Sequence, residues 1–231
     1  MNKKLCFVFL FAIFYNLLFA QDETALIKAL KAKLDKVADY QANGRMSVDV
    51  AFINAPASNV IVYYKKPNHF KIKKEGGISI LPKGGVSVNI TSLLTGDDYA
   101  IVPAGHAATQ GITAKVIKLL PLAETSDVVL TTLYIDEKAL LIRKATVTTR
   151  ESGSYEMNLD FGKYAAWGLP DKVIFLFNTK DYKLPKGLTF EYEKGNTKKE
   201  KTLKNKKGKV EVSYSNYIIN KGISDKIFAE K

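Results

Sequence analysis

Residues 23–52 read ETALIKALKAKLDKVADYQANGRMSVDVAF, and a change of period inside them decides the fold class. Leu26, Leu30, Leu34 and Val37 recur at helical spacing with lysines between them. The segment from Glu23 to Tyr40 is therefore expected to form a helix with one stripe lying on something apolar. Asp22 is placed to cap its start, and Asn43-Gly44 supplies a stop. Beyond Gly44 the period drops to two, and Met46, Val48, Val50 and Phe52 share a face, as they do when successive side chains point to opposite sides of a strand.

Towards the C-terminus the period of two persists. Val60, Val62 and Tyr64 form one apolar set. Tyr155, Met157, Leu159 and Phe161 alternate with Glu156, Asn158 and Asp160, and Leu188, Phe190 and Tyr192 alternate with Thr189, Glu191 and Glu193. Further strands are predicted at 70–74, 86–90, 99–103, 113–120, 128–135, 140–149, 173–178 and 209–219. Gly76-Gly77, Gly84-Gly85, Ser152-Gly153 and Pro185-Lys186-Gly187 punctuate them. The chain thus reads as mainly β with an N-terminal helix, about eleven strands joined by short connections and paired antiparallel. One helix cannot cover so long a sheet. The sheet must close, or curl around the helix and whatever else fills its concave side, and its interior is either packed or holds an apolar ligand. No composition shift or repeat divides residues 21–231, which are expected to form a single domain.

Towards the N-terminus, Lys3 and Lys4 precede an apolar run from Leu5 to Phe19 that ends at Ala20 before Gln21-Asp22-Glu23. This is the pattern of a secretory signal peptide over residues 1–20, cleaved near Ala20. The run is shorter than the roughly 20 apolar residues that span a bilayer, and Asn16 interrupts it. The single cysteine, Cys6, lies inside this segment, too early to carry a lipid. The mature chain then has no thiol and no disulfide, which suits a bacterial periplasm better than a disulfide-stapled extracellular scaffold. It is expected to need no detergent in solution and to be a monomer.

The net charge of +12 comes with only three arginines, Arg45, Arg143 and Arg150, among 35 basic residues. Nucleic-acid readers favour arginine for bidentate contacts, so no nucleic-acid partner is expected. Eight of the lysines crowd into 194–209 beside a single Glu200, as a solvated loop or as a contact for anionic headgroups. The chemistry of catalysis is missing from the pattern. His69 and His106 have no metal-ligand spacing and read as loop residues; Asp97-Asp98 and Asp136-Glu137 fall in turn-like segments; no Gly-x-Ser-x-Gly elbow, Walker loop or Gly-x-Gly-x-x-Gly occurs. No metal, cofactor or enzymatic activity is expected.

Several stretches carry a likeness to a known family. The helix segment Leu30–Val37, followed closely by a strand, resembles the opening of the LolA-type periplasmic carriers. Tyr63-Tyr64-Lys65-Lys66-Pro67-Asn68-His69-Phe70-Lys71-Ile72 resembles that family's aromatic, basic-basic-Pro-Asn-x-Phe strand-turn-strand motif. Val116–Pro121, the pair Leu133–Asp136 and Leu141–Lys144, and the ending Asn220–Phe228 are similar to further family segments, so the likeness runs over most of the mature chain.

This resemblance implies a half-open antiparallel barrel with short helices covering its concave face. It implies a carrier that takes the acyl chains of lipoproteins into an apolar cavity and shuttles them from inner to outer membrane, with an inner-membrane release complex and an outer-membrane receptor as partners. A lipid- or lipoprotein-sensing envelope regulator on the same fold, without transfer, is the alternative. Met46, Val48, Val50, Val62, Tyr64 and Phe70 become the candidate acyl contacts, each of which could equally be ordinary core. In the family, the second basic residue before Pro-Asn is an arginine that controls the lid; Lys66 holds that position here, keeping the charge but losing the five-donor fork. Phe70 is expected at the cavity rim. Between Ile80 and Tyr99 the family's longer lid is reduced to a segment around Leu93-Leu94.

Overall fold

A computed structural model describes residues 23–50, 53–74, 79–80, 93–94, 98–151, 153–178 and 207–229. Helix α1 (residues 23–34) leads into β1 (Asp39–Val50), β2 (Ile53–Lys65), β3 (His69–Lys74) and the two-residue β4 (Ser79–Ile80). After the described pair Leu93-Leu94 come β5 (Tyr99–Thr109), β6 (Ile112–Pro121), β7 (Val128–Asp136), β8 (Leu141–Thr149), β9 (Gly153–Asp160) and β10 (Lys172–Asn178). The chain closes with β11 (Lys207–Ile219) and a single-turn helix α2 (Lys226–Ala229).

Among the described residues eleven strands form one antiparallel sheet in the order β4-β3-β2-β1-β11-β10-β9-β8-β7-β6-β5. Every neighbour is also a chain neighbour except one: the first strand pairs with the last, β1 with β11. Among the described residues no pairing joins the edges β4 and β5, so the sheet curls without closing into a half-open barrel.

The alternation read from the sequence is the alternation of burial. Tyr155, Met157 and Leu159 of β9 and Val173, Phe175 and Phe177 of β10 face inward and are buried. Register lines these sets into rows across the curl. One row runs Ile117, Leu133, Ala145, Met157, Phe175, Val210 and Val48, from β6 to β1, each in register with the next. Helix α1 lays Ile27, Leu30 and Leu34 on this face, where they join the sheet residues and Leu93 and Leu94 in one core cluster. Burying such a stripe is what stabilises a helix of this length, which would be marginal alone in water.

The structure corrects several expectations. The helix ends at residue 34, and Tyr40 and Asn43-Gly44 lie within β1. Val37 continues the helical stripe, but Tyr40, Ala42, Met46 and Val48 already alternate as a strand, and the strand pattern prevails because both neighbours, β2 and β11, pair with it. Gly44 sits at a bulge against β11, where a Cβ would lie 2.7 Å from the Ser213 carbonyl oxygen. The bulge, not a helix stop, is what this glycine serves. His106 belongs to β5, at an irregularity between Pro103 and His106, rather than to a loop. His69 opens β3 and packs its ring 5.3 Å from that of Phe228. The signal peptide over 1–20, Asp22, Phe52, the strands expected at 86–90 and 188–193, and most of the lysine-rich 194–209 lie outside the described residues.

Candidate functional site

The candidate acyl contacts come together on the inner face at the β1–β3 end of the sheet. Met46 and Val48 lie on β1, Val62 and Tyr64 on β2, and Phe70 on β3, all buried. Tyr64 stands in register with Phe70 on one side and Tyr40 on the other, and Val62 stands between Ile72 and Ala42 in the same way. Val50 ends β1, and its side chain is outside the described residues. Phe70 is 8 % exposed and part of the core cluster, so it is not a rim residue. Its partner strands bury it because Tyr64 and Ile72 flank it on the same apolar face.

Beside this patch lies a tyrosine cluster that the sequence did not single out. Tyr40 packs against Tyr64 and Tyr217 at centroid distances of 5.3 and 5.2 Å, and Tyr217 continues to Tyr164 and Tyr214 at 4.8 and 5.1 Å. Phenols in such a setting need acceptors or donors. The Tyr217 hydroxyl donates to the Pro170 carbonyl at 2.7 Å, and Tyr164 pairs with Asn216 Oδ1 at 2.9 Å. The Tyr64 hydroxyl is buried and has no hydrogen-bond partner among the described residues. Burial, reinforced by neighbouring phenols, holds Tyr40 and Tyr217 well above the ordinary tyrosine range, and burial alone raises Tyr214. Tyr40, Tyr214 and Tyr217 stay neutral at physiological pH.

Next to Tyr40 lies the junction of α1 and β1, tied down from two sides, by Lys66 and by the segment after β11. Lys66 Nζ donates to the Asp35 carbonyl oxygen at 2.6 Å and to Asp35 Oδ1 at 2.8 Å. The Lys66 N–H donates to the Ala38 carbonyl at 2.9 Å. From the chain end, Asn220 Nδ2 donates to the Lys36 carbonyl and its Oδ1 accepts from the Ala38 N–H, at 2.8 and 2.7 Å. Asp39 accepts in turn from the N–H groups of Lys221 and Gly222. These contacts satisfy carbonyls that a helix end leaves open. Asp35 and Asn220 were not foreseen as parts of the site, since sequence separations of 31 and 184 residues hide their partners.

Elsewhere α1 is held by single contacts. Lys33 Nζ donates to the Ala139 carbonyl at 2.8 Å, and Leu34 packs over Gly168. Burial, with Lys36 nearby, lowers Lys33 below the usual lysine range, against an opposing pull from Asp136. Glu23, in the first turn, pairs with Lys115 of β6 at 3.3 Å, and Lys115 also reaches Glu137 at 3.4 Å. Asp136 is structural: it accepts from the Ala139 N–H at 3.1 Å and from Arg143 at 3.0 Å, closing the β7–β8 turn. Lys71, between Phe70 and Ile72 on β3, is fully buried, its ammonium donating to the Ile227 carbonyl at 2.6 Å. The segment carrying α2 covers it, with Lys65 pairing with Asp225 at 2.6 Å beside it. Among the described residues no three His, Cys, Asp or Glu gather as metal ligands, and no helix is long and apolar enough to cross a membrane.

No protein-family model and no curated protein matches the chain. Solved structures do match in fold. A putative outer membrane lipoprotein-sorting protein domain from Vibrio parahaemolyticus superposes with a TM-score of 0.57 at 11 % identity, covering 90 % of this chain and 97 % of that one. A DUF1329 family protein from Desulfovibrio piger gives 0.52 at 10 % identity, over 90 % and 96 %. A LolA superfamily protein from Nitrosomonas europaea gives 0.51 at 12 % identity, over 88 % and 97 %.

Proposed function

We propose, from the LolA-like fold of this chain, that it is a periplasmic carrier whose concave apolar face receives the acyl chains of lipoproteins and moves them from the inner to the outer membrane. The observation that supports this reading is the buried inner face itself. Rows of apolar side chains run across the open curl from β6 to β1, and α1 lies over them on polar ties. Three acyl chains hold about 45 methylenes, and each costs about 0.8 kcal/mol to expose to water. Unassisted transit is prohibitive by tens of kcal/mol, so a wall that lowers this cost does the whole task without covalent chemistry.

Met46, Val48, Val50, Val62, Tyr64 and Phe70 act as the acyl-contacting set, with the tyrosine cluster behind them. Lys66 acts as the closure: its bonds to Asp35 hold the end of α1 over the Tyr64 row in the empty protein, and ligand admission breaks them. The mature chain begins near Gln21. It works as a monomer that meets a release complex at the inner membrane and a receptor at the outer one. The test is mass spectrometry of lipids and lipoproteins extracted from the protein purified from its native envelope fraction, followed by a release-and-transfer assay. Acylated lipoprotein should copurify and pass to acceptor membranes. Recovery without any acyl compound, or with residues 1–20 still attached, would count against the reading.

A further inference from the structure

We infer that the Tyr64 hydroxyl is the polar anchor of the site and takes a neutral acyl carbonyl, an ester or amide, at the head of a chain lying on the inner face. The inference rests on the acyl-binding reading and deepens it by naming the ligand group recognised. Tyr64 is 1 % exposed, and its hydroxyl oxygen is buried without a hydrogen-bond partner among the described residues. Tyr217, one ring further along the cluster, shows that this interior supplies an acceptor where it needs none from a ligand. An orphaned buried donor carries a desolvation penalty that persists only if something else offsets it.

Position and charge narrow what that partner is. Tyr64 stands in register between Phe70 and Tyr40, and Tyr40 leads on to Ile219, so its row brings no formal charge to the hydroxyl. The nearest cation along the strand, Lys65, belongs to the opposite face and pairs with Asp225, while Lys66 is engaged by Asp35. A phosphate or carboxylate would find no counter-charge in this row, and burying it unpaired is costly. A purely alkyl ligand would leave the donor orphaned. A carbonyl carries no charge, accepts from a phenol, and sits at the polar end of every acyl ester or amide. Lys66, two positions beyond Tyr64, is the residue tied to Asp35, so the head of the chain would rest next to that tie and its tail would run along the rows towards β6.

The experiment compares two probes that differ by this carbonyl, monopalmitoylglycerol and its ether analogue hexadecylglycerol, below their micelle-forming concentrations. Titrations use the intact mature chain and Tyr64→Phe, with thermal midpoints of both free proteins. The wild type should prefer the ester by about three- to tenfold, the effect of one neutral hydrogen bond. Tyr64→Phe should bind both probes alike, with the midpoint of the free protein unchanged or raised, because an orphaned donor has gone. Equal binding of the two probes by the wild type, or a preference that survives in Tyr64→Phe, overturns the anchor and leaves acyl binding standing. A lowered midpoint with the preference retained assigns the hydroxyl to the folded core and also overturns it. Failure of the wild type to bind either probe overturns the acyl-binding reading, and the anchor with it.

Discussion

Replacing Lys66 by methionine removes the ammonium and keeps most of the stem, and its effect can be worked from the tie to Asp35. Both side chains are partly open to water, 34 % and 51 % exposed, so the ion pair itself contributes about 0–1 kcal/mol. The bond to the Asp35 carbonyl adds a cation at the open end of α1, favourable by a further few tenths. The sum is about 1 kcal/mol, or a factor of about five. In a domain of this size that lowers the melting midpoint by about 2–4 °C. Removing the tie should at the same time raise acyl affinity by up to about fivefold, because a ligand no longer has to open a closed empty form. Asp35→Asn should do less, since the backbone carbonyl remains, and the double variant should go little beyond Lys66→Met alone. Thermal melting and titration with a fluorescent fatty-acyl probe read both quantities on the same samples. A fall in midpoint with acyl affinity unchanged or weakened would refute the closure and leave Lys66 a structural cation.

Phe70→Glu should destabilise the fold by several kcal/mol, seen as a large loss of denaturation midpoint, because a carboxylate would replace a core ring in register with Tyr64. Gly44→Ala should cost about 1–3 kcal/mol in denaturant titration, since the added methyl meets the Ser213 carbonyl of a backbone that cannot swing away. Alkaline titration followed by tyrosinate absorbance should show Tyr40, Tyr214 and Tyr217 silent until the protein unfolds. Their folded-state ionisation is raised, so the stability they contribute is intact below about pH 10 and is lost as pH climbs past the unfolded tyrosine value. Tyrosinate appearing in full at pH 10 with the fold intact would contradict this.

The architecture was legible where one period held without competition. Tyr155, Met157 and Leu159 alternate with polar residues, and each is buried as read. Legibility failed where two readings shared the same residues. Val37 and Tyr40 satisfy a helical stripe and a strand, and only the partners β2 and β11 decide between them. Pro103-Ala104-Gly105 signals a break, yet an edge strand with no buried residue absorbs it as an irregularity and carries His106 onward. The site was legible as a face: Met46, Val48, Val62, Tyr64 and Phe70 were grouped by parity and are grouped in space. Its polar parts were not. Whether Lys66 meets solvent or Asp35, whether Lys71 is hydrated or buried under Ile227, and whether the Tyr64 hydroxyl finds a partner depend on residues brought in from 31 to more than 150 positions away.

The pairing of the first strand with the last has a consequence in time. Until β11 exists, the chain holds two separate strips, β1–β4 and β5–β10, and neither has its neighbour at the seam. The Asn220 clamp on the α1–β1 junction comes later still, directly after β11. A chain emerging N-terminus first therefore cannot complete this sheet before β11 has emerged, and loop closure over so long a separation is slow. The seam strand is thus the piece that unites the two strips, and neither half can finish the fold alone.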